Sequence, residues 1–426
     1  MCNKIFNNSL YLHFKILTIE NIHRMKKLFI LLGLVLSFTY TYSQVSDLGQ
    51  QKTLNTITTA VPFLLISPDA GCGALGDAGA ATTPDASSIH WNPAKYIFTK
   101  RNIGFAVSYS PWLRALVNDI NLAYLAGYWK INEFNAIAAS LRFFSLGDIT
   151  FTNENGESTG QYRPSEFAFD LSYARKLTDN LSMAISGRYI NSNLTLGQTV
   201  GGRDTKAGQS GAADVALYYQ LPIKLKAFDS KFALGLNISN IGAKISYTEN
   251  TEKDFLPTNL RIGFGYTMDF DKYNSLGVYL DFNKLLVPTP PVYQRDDSTN
   301  QPIYDPEGNQ VILSGKNPNV GIVTGMIQSF YDAPGGFSEE MKEINISIGL
   351  EYWYNKQFAI RAGYFNESQM KGNRKFFTLG AGLRYSVFGL DFSYLIATEQ
   401  KHPLENTLRF TLIFDFEAFG TKVKKS

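Results

Sequence analysis

Cysteine is nearly absent from this chain: 426 residues hold two, Cys2 and Cys72. Cys2 falls in a leader read below as removed or never made, so a single thiol remains and an internal disulfide framework is excluded. Thiol catalysis finds little support, since His90 is the only histidine nearby. A small buried cysteine among glycines is the commoner arrangement. Ala70-Gly71-Cys72 has the local look of a lipoprotein cleavage box. It lies too far beyond the apolar leader segment to serve as one.

Charge is modest, with 18% of residues charged and a net charge of +3. Beyond Lys422, Lys424 and Lys425 no basic cluster stands out, which argues against a nucleic-acid partner. After Ser43 no apolar run is long enough for a transmembrane helix. Phosphate loops and clustered metal ligands are missing too, so no cofactor, metal or catalytic residue is expected.

What is present begins at Met25. Lys26-Lys27, the apolar run Leu28 to Phe38, then Thr41-Tyr42-Ser43 before Gln44 have the three parts of a secretory signal peptide. Residues 25–43 are therefore expected to be cleaved, and 1–24 to be an over-called start. The apolar run is short for a membrane anchor. Residues 44–66 are expected to form an N-terminal periplasmic segment.

Ser67 to Tyr96 is rich in Gly and Ala and poor in charge. Gly71, Gly73, Gly76 and Gly79, with Asp77 between them, let backbone pack closely in a confined space. The stretch ends at a turn signal, Trp91-Asn92-Pro93. Residues 67–100 are read as a hatch or plug.

From Asn102 the hydrophobic period is close to two. In 259–270, Leu260, Ile262, Phe264, Tyr266, Met268 and Phe270 share one face, while Asn259, Arg261, Gly263, Gly265, Thr267 and Asp269 share the other. That is a strand with one apolar face. The pattern predicts about fourteen strands: 102–110, 119–130, 134–146, 164–176, 180–194, 211–221, 231–239, 258–270, 274–286, 342–354, 357–366, 374–386, 388–397 and 405–416. Strand 119–130 alternates poorly, and its facing stays open. Most of these lengths suit tilted membrane-spanning strands.

The links between strands alternate short and long. Outer-membrane barrels have short periplasmic turns and longer extracellular loops, and an even strand number leaves both barrel termini on the periplasmic side. The fold expected is thus all-β: a transmembrane outer-membrane barrel of about fourteen antiparallel strands over 101–416, with a tail from 417 to 426. A soluble sandwich has no reason to segregate its loops by length.

Arg142, Arg188, Arg261, Arg361, Arg384 and Arg409 lie on the polar phase of their strands, with Asp170, Asp214, Asp281, Glu351, Asp391 and Asp415. On the lipid phase they would be costly. We expect them in the lumen as a strand-to-strand lattice of ion pairs, because buried charges are normally paired. The longest loop, 287–341, opens with the stiff Pro288-Thr289-Pro290-Pro291. It continues with Val320, Val323, Ile327 and Phe330 at helical spacing, before Ala333-Pro334-Gly335-Gly336 ends the helix. Such a helix either binds a partner or folds over the barrel mouth. A second apolar loop, Trp112-Leu113 with Leu116-Val117, would share the extracellular side and adds weight to partner binding.

With its small-residue N-terminal segment, Asn92-Pro93-Ala94 and about fourteen strands, the chain resembles the FadL family of outer-membrane proteins, whose N-terminal hatch folds into the lumen. Val61-Pro62-Phe63-Leu64-Leu65-Ile66-Ser67-Pro68-Asp69-Ala70, Gly73-Ala74-Leu75-Gly76-Asp77-Ala78-Gly79, Pro84-Asp85 and Trp91-Asn92-Pro93-Ala94-Lys95 resemble the PorV (LptO) family within it, along essentially the whole mature chain. That resemblance implies a non-enzymatic component of the type IX secretion system of Bacteroidetes. It implies a protein that binds C-terminal signal domains of cargo leaving the SprA/Sov translocon and carries them to the PorU-containing attachment complex, with outer-membrane lipid around it. Two features depart from the pattern: Cys72, where a larger or polar residue is expected, and the tail after Phe416. The alternatives are a FadL-like transporter of hydrophobic small molecules and a lipopolysaccharide O-deacylase. For the latter, Ser87, Ser88 and His90 lack a Gly-x-Ser-x-Gly elbow, and the other mature histidine, His402, is remote in sequence.

Overall fold

The computed structural model describes residues 54–416 apart from 114–116, 118, 153–154, 198–203, 226–227, 249–252, 297 and 400–402. The expected leader, signal peptide and tail lie outside the described residues, as do Leu116 and His402.

The strands in chain order are β1 (Ile103–Pro111), β2 (Asn121–Lys130), β3 (Asn135–Ser145), β4 (Ile149–Thr152), β5 (Ser158–Tyr162), β6 (Ser165–Lys176), β7 (Leu181–Asn193), β8 (Gly208–Lys224) and β9 (Asp229–Gly242), then β10 (Asn259–Asp269), β11 (Asn274–Leu285), β12 (Val292–Tyr293), β13 (Ile312–Ser314), β14 (Asn345–Tyr354), β15 (Phe358–Asn366), β16 (Lys375–Tyr385), β17 (Phe388–Ala397) and β18 (Leu408–Phe416). Fourteen of them close into one barrel in which every neighbour is antiparallel; β4–β5 and β12–β13 are separate hairpins within long loops. Closure is by β1 against β18, from Ile103 opposite Phe416 to Tyr109 opposite Phe410. No strand edge is left to hydrogen-bond with lipid, which has no donors to offer.

Each wall strand alternates between a buried and an exposed residue. In β6, Ala168, Asp170 and Ser172 are buried, while Phe169, Leu171 and Tyr173 are exposed. The exposed set forms the lipid-facing band. Near the short turns that band becomes aromatic, with Trp129, Phe134, Tyr273, Phe358 and Phe388 exposed, as expected where amphipathic rings sit at a membrane interface. No helix among the described residues is long and apolar enough to cross a membrane; the strands do so.

The facing of β2 resolves with Tyr124, Ala126 and Tyr128 inward and Leu125 and Trp129 outward. The alternation is weak in sequence because this inner wall is itself apolar. It packs on protein, not on water. Strands β8 and β9 run longer than expected, and a register shift between Ala213 and Val215 lets Asp214 accept the Asn240 N–H at 2.8 Å. Strand β14 starts at Asn345, not 342, because Met341–Glu343 is a 3-10 turn.

Residues 54–98 run inside the barrel. At the long-loop end the Asn55 N–H donates to Met370 O and the Ala60 N–H to Phe255 O. At mid-height the Ala70 N–H donates to Thr411 Oγ1 (2.8 Å) and the Gly76 N–H to Thr378 Oγ1 (2.9 Å). At the short-turn end Ser182 Oγ donates to Ala94 O (2.7 Å), Tyr96 stacks on Tyr128, and Lys130 Nζ donates to Thr99 O (3.1 Å). The chain therefore descends the full height of the barrel before β1 begins. This corrects one expectation. Residues 54–66 lie not on the periplasmic side but at the end that carries the long loops, because Phe63 and Leu64 bury themselves among Leu122, Phe144, Ile190 and Leu256 there.

Candidate functional site in the lumen and at the outer mouth

The lumen segment is built from short turns with explicit caps. Asp69 caps the helical turn Ala70–Gly73, accepting from the Cys72 N–H at 2.8 Å, and its other oxygen accepts the Trp91 indole N–H at 2.6 Å. Burial, with the negative charge of Asp85, pushes the Asp69 carboxyl up to about 6 despite those two donors. Asn92 caps the 3-10 turn Pro93–Phe98 through the Ala94 N–H (3.0 Å) and donates to Leu217 O of the wall (2.9 Å). Pro93 sits at the first position of that turn, where its missing N–H costs nothing.

Two glycines are required by close approach. Gly76 has φ +66°, and a Cβ there would sit 2.6 Å from the Tyr364 backbone. A Cβ on Gly79 would fall within the Trp91 ring, and the Gly79 N–H reaches Asp281 Oδ2 at 2.7 Å. Gly71 and Gly73 lie in the capped turn, against Asp69 and Arg409, and Asp77 stands 3.8 Å from Arg409 Nη2. Cys72 is buried against Thr82, and burial, with the neighbouring Asp69, pushes its thiol well above its ordinary value. That is the opposite of a reactive thiolate.

The expected lumen charges are buried, with Arg384 and Asp415 only partly so, but they divide into two kinds. Arg188 bridges Asp170 and Asp214, and Arg361 bridges Glu351 (2.7 Å) and Asp391 (2.8 Å), with Arg384 also on Asp391 (2.7 Å). Those are the anticipated strand-to-strand pairs. Arg142, Arg261 and Asp281 instead hold the lumen segment. Arg142 donates to Leu64 O (2.6 Å) and to His90 Nδ1 (2.7 Å); Arg261 stacks on Trp91 at 4.7 Å; Asp281 accepts from Gly79 and Ala80. Arg409 meets Gly73 O at 3.5 Å. The lattice expectation is corrected to this extent, since buried backbone donors and acceptors need partners as much as charges do.

Because arginine can only donate, His90 Nδ1 is the acceptor, which leaves the proton on Nε2. Burial, then Arg142, holds this histidine well below its usual pKa. Ser88 Oγ pairs with Asp85, and Ser87 Oγ has no partner. Among the described residues the His90 ring bonds to Arg142 and to no serine hydroxyl.

At the long-loop end, a polar cluster that sequence reasoning missed ties four segments together. Lys284 Nζ bridges Glu340 (3.0 Å) and Glu343 (2.6 Å); Lys371 Nζ bridges Glu339 (2.6 Å) and Glu343 (2.9 Å). Asn55 donates to Glu339 and Pro290 O, and Thr289 to Glu343. The available signal was the run Glu339-Glu340 at the end of the expected loop, with Glu343 in the expected strand start. Asp332 accepts the Thr289 N–H (3.1 Å), and burial pushes it up to about 6. Lys95, also missed, is fully buried and donates to Gly79 O and Thr82 Oγ1.

The helix expected through Val320, Val323, Ile327 and Phe330 is shorter, Ile322–Gln328, with Val320 ahead of it and Phe330 beyond its end. Gly325 packs on Phe255 and Pro288, so the apolar side faces out: Val323 is 67%, Ile327 59% and Phe330 50% exposed. Trp112 and Leu113 do the reverse. They turn inward against Phe365, Phe376 and Leu395, which corrects their assignment to an exposed partner surface; Val117 is exposed.

With this geometry in place, comparison with known proteins is informative. A family model described as "Type IX secretion system protein PorV" matches residues 49–292, more than half of the chain. The chain belongs to the PorV family. It is an outer-membrane β-barrel component of type IX secretion. A search of curated protein sequences finds no match. Solved structures similar to this PorV-family chain include the Ralstonia pickettii toluene transporter TbuX, at 12% identity over 82% of this chain and 98% of that one, TM-score 0.43. The toluene transporter TodX of P. putida gives 11% identity over 82% and 99%, TM-score 0.46. A Pseudomonas aeruginosa FadL homologue gives 10% over 86% and 100%, TM-score 0.40. The functional argument rests on the family match and on the chain's own geometry.

Proposed function

We propose that this barrel receives C-terminal signal domains of type IX cargo at its long-loop face, as they leave the SprA/Sov translocon, and passes them to the PorU-containing attachment complex. The observation that supports the reading is the outer loop 287–343. Its helix and following turn expose Val323, Ile327, Phe330 and Phe337, while Lys284, Lys371 and Thr289 hold its base to the barrel. An apolar surface on a rigid base suits reversible docking of a folded domain. In the same reading residues 67–100 plug the lumen, so traffic occurs across the face and not through the barrel. The test is recovery of cargo tails, translocon and attachment complex with the tagged barrel from outer membranes, with and without residues 319–333. Equal recovery from both would remove the loop from the mechanism.

A further inference from the structure

An apolar groove of about 250 Å³ lies on the outside of the barrel wall, where the base of the long loop folds back over β10 and β11. Its floor is Leu260 and Ile262 of β10 and Phe282 of β11, with Ile344 beside them; Phe330, Phe337 and Met341 of the loop complete it. Leu260 and Ile262 share the outward phase of Phe264, and Phe282 that of Val278, both of which are exposed in the lipid-facing band. The groove is therefore continuous with the surface that the barrel already presents to lipid.

Lys284 explains why the loop lies there. It continues the outward phase of β11, opposite Leu260, and an unpaired lysine on that phase is costly in proportion to its depth. It is nonetheless only 7% exposed. Glu340 and Glu343 neutralise it, and the Phe330 ring lies 5.8 Å from its Nζ. Drawing these groups onto the wall leaves Phe337 and Met341, 79% and 51% exposed, at the edge of the groove.

The polar groups of the lining are already paired. Glu340 accepts from Lys284 Nζ (3.0 Å) and from the Ala333 N–H (2.8 Å), and the Asn283 side chain accepts from Arg261 on the lumen side (2.7 Å). A peptide laid in the groove would leave backbone N–H and C=O groups without partners. An acyl chain has none to satisfy. The volume falls just under that of sites enclosing a whole small ligand, about 300–1,000 Å³, and suits part of one chain.

We infer that this groove holds an acyl chain of a lipid of the surrounding membrane, clamped between the β10–β11 wall and the base of the long loop.

The test places the photoreactive residue p-benzoylphenylalanine at Met341 in the full mature barrel, in nanodiscs of phosphatidylcholine and in isolated outer membranes. Irradiation should join the probe to an acyl carbon and add the mass of one lipid. Ile262→Trp, which fills the floor, should lower the lipid adduct at Met341 at least fivefold. The same probe in place of Tyr189, exposed to lipid on β7, should be unaffected by that change. Phe337→Ser, which removes one side of the groove, should act in the same direction and keeps the test open if Ile262→Trp does not fold. Absence of a lipid adduct at Met341, capture there of a protein or a second copy of the barrel in place of lipid, a yield unmoved by the folded variants, or an equal fall at Tyr189 would overturn the inference. Phe330 and Phe337 also belong to the surface proposed for docking, but the nanodiscs contain no cargo, so the two outcomes are separable.

Discussion

Trp91 donates its indole N–H to Asp69 Oδ1 at 2.6 Å, joining the two ends of the Gly/Ala-rich stretch around a ring that fills the space beside Gly79. Asp69 also caps the turn at Cys72. Asp69→Ala removes both acceptor roles at once and should loosen the lumen segment by roughly 1–3 kcal/mol. The readout is faster protease cleavage within 54–98 in reconstituted barrels; unchanged cleavage would show that the pair is not what holds the segment.

Asp69 and Asp332 give the protein a pH dependence. Each carboxyl is raised from 3.8 to about 6, chiefly by burial, so the folded state binds the proton more tightly than the unfolded state. Their contribution to stability is full below the unfolded value and is lost as pH rises through about 6. The urea midpoint should be higher at pH 5 than at pH 7.5, and an Asp69→Asn, Asp332→Asn double variant should flatten that difference.

The path of the lumen segment places Thr56, exposed, at the long-loop end. Cys72 is buried and should not react. A Thr56→Cys variant should therefore be labelled by a membrane-impermeant maleimide added to intact cells. Labelling only after the outer membrane is opened would reverse the assigned orientation.

Glu343 is shared by Lys284, Lys371 and Thr289. Glu343→Ala leaves two buried ammonium groups short of a partner and should cost about 3–5 kcal/mol locally. Hydrogen exchange across 287–343 and 367–374 should rise, with the β1–β9 strands unaffected. Uniform exchange over the whole barrel would mean that the cluster is not a separate clasp.

Ile327 is 59% and Phe330 50% exposed, the latter with Lys284 Nζ 5.8 Å from its ring. An Ile327→Asp, Phe330→Asp double variant should leave barrel stability within about 0.5 kcal/mol per site while lowering cargo or translocon recovery several-fold. Full recovery would move the docking surface elsewhere.

The barrel wall was legible because a lipid-facing strand repeats its chemistry every second residue and tolerates no charge outward. Leu260 to Phe270 carries that repeat in full, and its strand forms within a residue of the expected bounds. Strand β2 was harder, because Tyr124 and Tyr128 meet Tyr96 and Arg142 rather than water, and an apolar inner face erases the alternation. The mouth cluster escaped notice because Lys284, Glu343 and Lys371 are far apart in sequence and have no period to announce them. Trp112 was misplaced for a related reason: an apolar loop residue reads the same whether it points out or over Arg409.

By itself, then, the sequence determined the strand number, the alternation of short and long links, the inward charges and the family-bearing motif at 61–95. These are local or periodic properties, set by the backbone pleat and by the two solvents on either side of the wall. Only the tertiary structure decided that 54–66 rises to the end that carries the long loops, that Asp281 serves backbone amides, and that Arg142 reaches His90 and the Leu64 carbonyl. Those outcomes depend on which groups reach each other when the segment is threaded through a closed barrel, and buried donors and acceptors pair by proximity in space rather than by spacing along the chain.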